Sequence, residues 1–199
     1  MRKPLTAALL ALALAMPLAR ADHDESKREK KQREKIEDLT EKLERRLRKE
    51  NPTNINIYLH QQAVVLLERT KRAREQDYRF DRLAHATDAL LEASQRVFEA
   101  NEADDDDDCD EDDRRETALD LQHDYFRVQQ AEYFAKLSRE KEAKAYVTYA
   151  RALYQQARQA YDAGEFCKAK KLGEAASYIA RALEYLAQAA VRIPEPPPL

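Results

Sequence analysis

Carboxylates, cysteines and histidines are the residues of this chain whose types and spacing could do chemistry. Ten acids lie between Glu102 and Asp113 with no base among them, and Cys109 sits in their midst. Asp104, Asp106, Asp108, Asp110 and Asp112 alternate along this stretch. Oxygen ligands so arranged suit a hard divalent cation such as calcium, bound loosely. Cys109 is poorly placed as a nucleophile, because surrounding negative charge disfavours a thiolate. The only other cysteine is Cys167, so a Cys109–Cys167 disulfide is expected if the chain resides in an oxidising compartment.

The acidic run starts like an EF-hand loop, D-x-D-x-D, and then departs from that resemblance. Cys109 stands where the turn glycine belongs, and Arg115 where the bidentate glutamate belongs. The remaining reading of the run is a solvated loop or an electrostatic patch for a basic partner. Of the four histidines, His23 in "DHDE" could hold copper or nickel beside a free amine, but reads as a polar terminus. His60, His85 and His123 fall on three different helices. They lack Glu-x-x-His spacing, and read as structural or surface residues rather than ligands. The chain carries no haem-attachment motif, phosphate loop, nucleophile motif or paired zinc-ligand spacing. It is therefore expected to be no enzyme and to need no cofactor.

Residues 1–21, "MRKPLTAALLALALAMPLARA", combine a basic start, an apolar run and a small-x-small ending. That is the pattern of a cleaved secretory signal, and it predicts a periplasmic or secreted protein beginning at Asp22. No stable membrane insertion is expected after cleavage. Cleavage removes three of the 35 basic residues and none of the 38 acidic ones, and so leaves a net charge of −6. A net-acidic exported chain is a poor nucleic-acid binder, because phosphate contacts need concentrated Lys and Arg.

The elements that must position these residues are helices. There are two glycines, Gly164 and Gly173, and no proline between Pro52 and Pro194. A sheet protein needs turn residues far more often, so the fold is all-α: an antiparallel bundle of long helices with hairpin turns. Residues 22–52 read as a charged N-terminal helix or arm, with Ile36, Leu39, Leu43 and Leu47 on one narrow face. Residues 53–193 form the bundle domain, and "PEPPPL" (194–199) is a Pro-rich tail. Helices are expected over about 55–77, 80–101 and 166–191, with "QDYRF" as a turn. Thr53 or Asn54 is the expected cap of the first of them.

Residues 114–163 allow one long helix or two, with Ser138 as a possible cap for the second. Leu119, Tyr125, Phe126, Val128, Tyr133, Phe134 and Leu137 are the core candidates of the first half. One straight helix would place Cys167 ~75 Å from the acidic run. A fold-back near Ser138 returns it to the same end, so the disulfide requires the break.

"AYDAGEFCKAKKLGEAA", residues 160–176, resembles the middle of a tetratricopeptide repeat. The matching residues are Tyr161, Gly164-Glu165-Phe166, Ala169 and Ala176, and "QDYRFDRLAHATDAL" looks like a degraded copy without the glycine. The resemblance covers about one hairpin, with no second copy at that family's period. It implies tetratricopeptide-like hairpins and hence a scaffold that binds another protein. The expected function is a non-catalytic, exported interaction scaffold or adaptor. Low-affinity divalent-cation binding through residues 104–113 is the alternative.

Overall fold

The computed structural model describes residues 27–45, 48, 52–73, 77–102 and 113–191. Among these there are six helices and no strand. Residues 27–45 form α1, followed by α2 (Asn54–Arg72), α3 (Asp77–Glu102), α4 (Asp113–Ser138), α5 (Ala143–Asp162) and α6 (Phe166–Ala190). The signal segment, Leu47, Asp104 to Asp112, Cys109 and the Pro-rich tail lie outside the described residues. No described helix is long and apolar enough to cross a membrane.

The last helix is the centre of the bundle. α6 packs against α3, α4 and α5, and its buried residues cover a wide face from Ala169 through Ala187. A helix with so wide a buried face must be contacted from several sides. Many of those residues are small: Ala169, Gly173, Ala175, Ala176, Ser177, Ala180, Ala182 and Ala187. Small side chains let neighbouring helix axes come close.

Ion pairs fix the directions. Arg96 Nε lies 2.8 Å from Glu174 Oε2 and Lys171 Nζ 3.4 Å from Glu99 Oε2, while His85 stacks on Tyr185 at 5.1 Å. α3 and α6 are therefore antiparallel. Lys170 holds Glu116 at 2.8 Å, and Asp124 packs on Gly173, so α4 and α6 run parallel. α5 returns between them, pairing Arg151 with Glu132 at 2.6 Å and Tyr154 with Tyr125 at 5.7 Å.

Local chemistry sets the ends of the elements. Thr53 caps α2 in a reciprocal capping box with Asn56, which satisfies donors the first turn leaves open. α3 begins at Asp77, so "QDYRF" is not a turn throughout: from Asp77 onward it is already helix. The two-helix alternative holds for 114–163. Ser138 does not cap the second helix; it closes the first, donating to the Ala135 carbonyl and accepting from the Glu140 N–H. Arg139 takes φ 56°, and α5 starts at Ala143, its N-cap Glu142 making no side-chain capping bond. A bidentate pair from Arg69 (2.9 and 2.7 Å to Glu140) ties this corner to the last turn of α2. Gly164 closes α5 at φ 86°, and Tyr161 meets Phe166 edge-on at 5.4 Å across the turn. Glycine reaches that left-handed conformation without a Cβ penalty.

α1 is a helix over 27–45 with Ile36, Leu39 and Leu43 buried. Lys42 bonds Asp88 of α3 at 2.8 Å, and Lys35 stands 3.8 Å from the same carboxylate. Its apolar face is narrow, yet it is covered.

α4 departs most from expectation. Leu119, Tyr125, Phe126 and Tyr133 are exposed, and Phe134 and Leu137 are only partly covered. Val128 is the sole member of that run in the core. The buried seam is Thr117, Leu121, Asp124, Val128, Ala131 and Ser138. On α2, Val64 likewise faces outward, while Leu59, Leu66 and Leu67 are buried.

Candidate functional site

Two places in the fold combine chemistry with access: a polar pocket between α4 and α6, and the outer face of the α4–α5 hairpin. Neither contains a residue singled out from sequence as a metal ligand. Among the described residues, no group of three His, Cys, Asp or Glu side chains could hold a metal ion.

The pocket has a volume of about 200 Å³ and is lined by Asp120, His123, Asp124, Glu174, Ser177, Tyr178 and Arg181. Its floor is Asp124, 6% exposed. A Cβ built on Gly173 would lie 2.7 Å from Asp124 Oδ2 and 2.9 Å from Leu121 Cδ2. The absence of a side chain at Gly173 is thus what admits the carboxylate. Burial pushes the Asp124 carboxyl up to about 6, against the opposing pull of its Ser177 hydrogen bond and the nearby His123. Lys170 and Arg96 hold two of the other acids, Asp120 at 3.6 Å and Glu174 at 2.8 Å. Arg181 lies over the Tyr178 ring at 5.3 Å. Ser177 bonds the Asp124 carboxylate, and Asp120 and Glu174 are engaged by bases of α6 and α3.

The three helical histidines go to separate seams. His60 is buried between α2 and α3, with Nε2 2.9 Å from Ser94 Oγ. Asn56 donates to the carbonyl and hydroxyl of the same serine, at 2.8 and 3.0 Å. This enclosed cluster satisfies its own polar groups and fixes the register of the α2–α3 hairpin. His85 lies against Tyr185, and desolvation lowers its pKa. His123 lines the α4–α6 pocket, a different seam from that of His60.

Cys167 is the second residue of α6. The last turn of α3 (Glu99) and the first of α4 (Glu116) reach Lys171 and Lys170 respectively. Both attachment points of segment 103–112 therefore stand at the end of the bundle where Cys167 lies. Among the described residues there is no free cysteine.

The outer face of the hairpin carries two rows. Leu119, Phe126 and Tyr133 are seven residues apart on α4, with exposures of 59, 59 and 62%. Lys144, Arg151 and Arg158, also seven apart, are exposed on α5. The sequence signal for the first row was present in the spacing, but size and hydrophobicity pointed it inward.

The chain is thus an all-α bundle built of antiparallel helical hairpins around a small-residue central helix. Comparison with protein families, curated proteins and solved structures finds no match.

Proposed function

We propose that this protein is a non-catalytic, exported helical scaffold that binds another protein in the periplasm. The observation that carries the reading is the row Leu119, Phe126, Tyr133: three large apolar side chains, each more than half exposed, on a helix whose opposite side already forms the core. Contiguous exposed apolar surface on a folded chain marks an interaction site. The tight α5–α6 hairpin, with Gly164 and the Tyr161–Phe166 contact, supports a tetratricopeptide-like manner of presenting helices. The test is cross-linking in exporting cells, with the intact chain and a Phe126→Arg/Tyr133→Arg variant. Specific heteromeric adducts are expected with the first and lost with the second. Identical adduct patterns would place the partner elsewhere, and no adducts at all would remove the scaffold reading.

The same reading includes a Cys109–Cys167 disulfide, supported by the position of Cys167 between the attachment points of segment 103–112. Closing a loop of nearly sixty residues restricts the unfolded chain. Titration of denatured, unreduced protein with a thiol reagent is expected to find no reactive thiol, and two only after reduction. Two free thiols before reduction would refute the bond.

A further inference from the structure

We propose that the outer face of the α4–α5 hairpin is a docking surface for an acidic amphipathic helix. This rests on the scaffold reading and names the chemistry of the partner. Leu119, Phe126 and Tyr133 repeat every seven residues along one side of α4. Seven residues are two helical turns, so they form a row with a step of about 10 Å. A row of that step matches the apolar seam of a second helix laid along it. Tyr125 widens the row, edge-on to Phe126 at 5.9 Å and against Tyr154 at 5.7 Å.

Lys144, Arg151 and Arg158 repeat with the same step on α5, which runs antiparallel beside α4. No acid occurs between Ala143 and Tyr161. The acids near the apolar row are engaged by the fold: Glu116 and Asp120 by Lys170 on the α6 side, Glu132 by Arg151. The Arg151–Glu132 pair at 2.6 Å shows the geometry in which these bases meet a carboxylate. Arg158 lies over the Tyr161 ring at 5.9 Å and bonds the Tyr154 side chain, which packs on Tyr125 of α4. A helix with apolar residues on a seven-residue repeat, flanked by Glu or Asp on the α5 side, complements both rows at once. Tyr, Phe and Arg are also the residue types that concentrate binding energy at interfaces. An anionic membrane would use the bases and rings but not the seven-residue repeat. The repeat favours the helix.

The probe is a synthetic helical peptide of three heptads with leucine at the seam positions and glutamate beside them. A control peptide has lysine in place of each glutamate. Binding to the full chain is measured by fluorescence anisotropy. The acidic peptide is expected to bind at least about tenfold more tightly than the lysine peptide. Phe126→Ala and Arg158→Glu should each weaken it by about fivefold or more. All the substituted side chains are on the surface, and circular dichroism melts establish that each variant folds. An Arg151→Glu/Arg158→Glu variant should reverse the preference and take the lysine peptide. Equal binding of the two peptides, or binding of neither, overturns the proposal. So does capture of phosphatidylglycerol vesicles that depends on Phe126. So does a homodimer in sedimentation that Phe126→Ala dissociates, which would make a second copy the occupant. The cross-linking test stands apart: adducts lost in the α4 variant with no preference for the acidic peptide would keep the scaffold and discard the acidic helix.

Discussion

Replacing Gly173 with valine lowers the stability of the fold by about 3 kcal/mol. The reason is geometric. Gly173 lies inside α6, where glycine costs about 1 kcal/mol relative to alanine. A surface position would gain that amount on substitution. Here the first added carbon would stand 2.7 Å from Asp124 Oδ2 and 2.9 Å from Leu121 Cδ2. Leu121 is fully buried and Asp124 nearly so, so both side-chain ends must be displaced within a packed seam. Valine adds two further carbons against the same wall. Gly173→Ala should fall between wild type and valine, because its helix-propensity gain offsets part of the clash. Combining Gly173→Ala with Asp124→Ala removes the obstructing carboxylate and should be less damaging than the two single changes added together. Thermal and urea melts of the five chains, Asp124→Ala among them, decide it. An alanine variant more stable than wild type would show that α4 and α6 do not approach at Gly173.

Asp124→Asn works in the opposite direction and does so only at the higher pH. An ordinary aspartate titrates near 3.8; burial moves Asp124 to about 6 in the folded chain. Below 3.8 the carboxyl is protonated in both states and folding carries no penalty from it. Between 3.8 and about 6 the unfolded chain gives up the proton while the folded chain keeps it, so stability falls as pH rises. Above about 6 the loss is complete and constant, on the order of 2–3 kcal/mol. Asparagine never carries the charge, and its carbonyl can still accept from Ser177. The variant and the wild type should therefore melt alike near the acid end of this window. They should diverge through it, with the variant the more stable by that amount at neutral pH. The groups facing Asp124 are Asp120 and His123 on α4, and Glu174, Ser177, Tyr178 and Arg181 on α6. Of these, Asp120 and Glu174 add to the upward shift and His123 opposes it. A stability gap that stays the same at every pH would disprove the assignment of the titration to Asp124.

The legibility of the chain from its sequence varied with the side-chain size of each seam. In α3, Phe80, Leu83, Ala86, Leu90, Ala93 and Val97 recur at helical spacing on one face, and all six are buried. They are apolar residues at helical spacing, four of them large or medium, and burial follows hydrophobic area. In α4 the same rule failed. Its largest apolar side chains are outside, because the helix it meets is lined with alanine, serine and glycine and approaches too closely to admit a phenylalanine. A second periodicity was present but quiet: Thr117, Leu121, Asp124, Val128, Ala131, Ala135 and Ser138 step by four and three without interruption. Small and polar residues in such a register look like surface unless the partner helix is known. The pocket was illegible for a related reason. Nothing in the local sequence of Asp124 or Gly173 says that one fills the space left by the other, across nearly fifty residues of chain. The break at Ser138 was legible as a possibility, but not its mechanism, since a serine can cap a following helix or close a preceding one.

The position of α6 sets the order of events when the chain is made. The helix on which α3, α4 and α5 all pack comes after them in sequence. A ribosome adding residues one at a time, at about 5–20 per second, releases five helices before the one on which three of them pack. For those seconds α3, α4 and α5 lack the helix on which they pack. The nascent chain can close in one concerted step when α6 emerges, and until then it remains open to any factor that binds unfolded chains. A fold with its keystone at the other end would begin to set as soon as translation started; this one is built to wait.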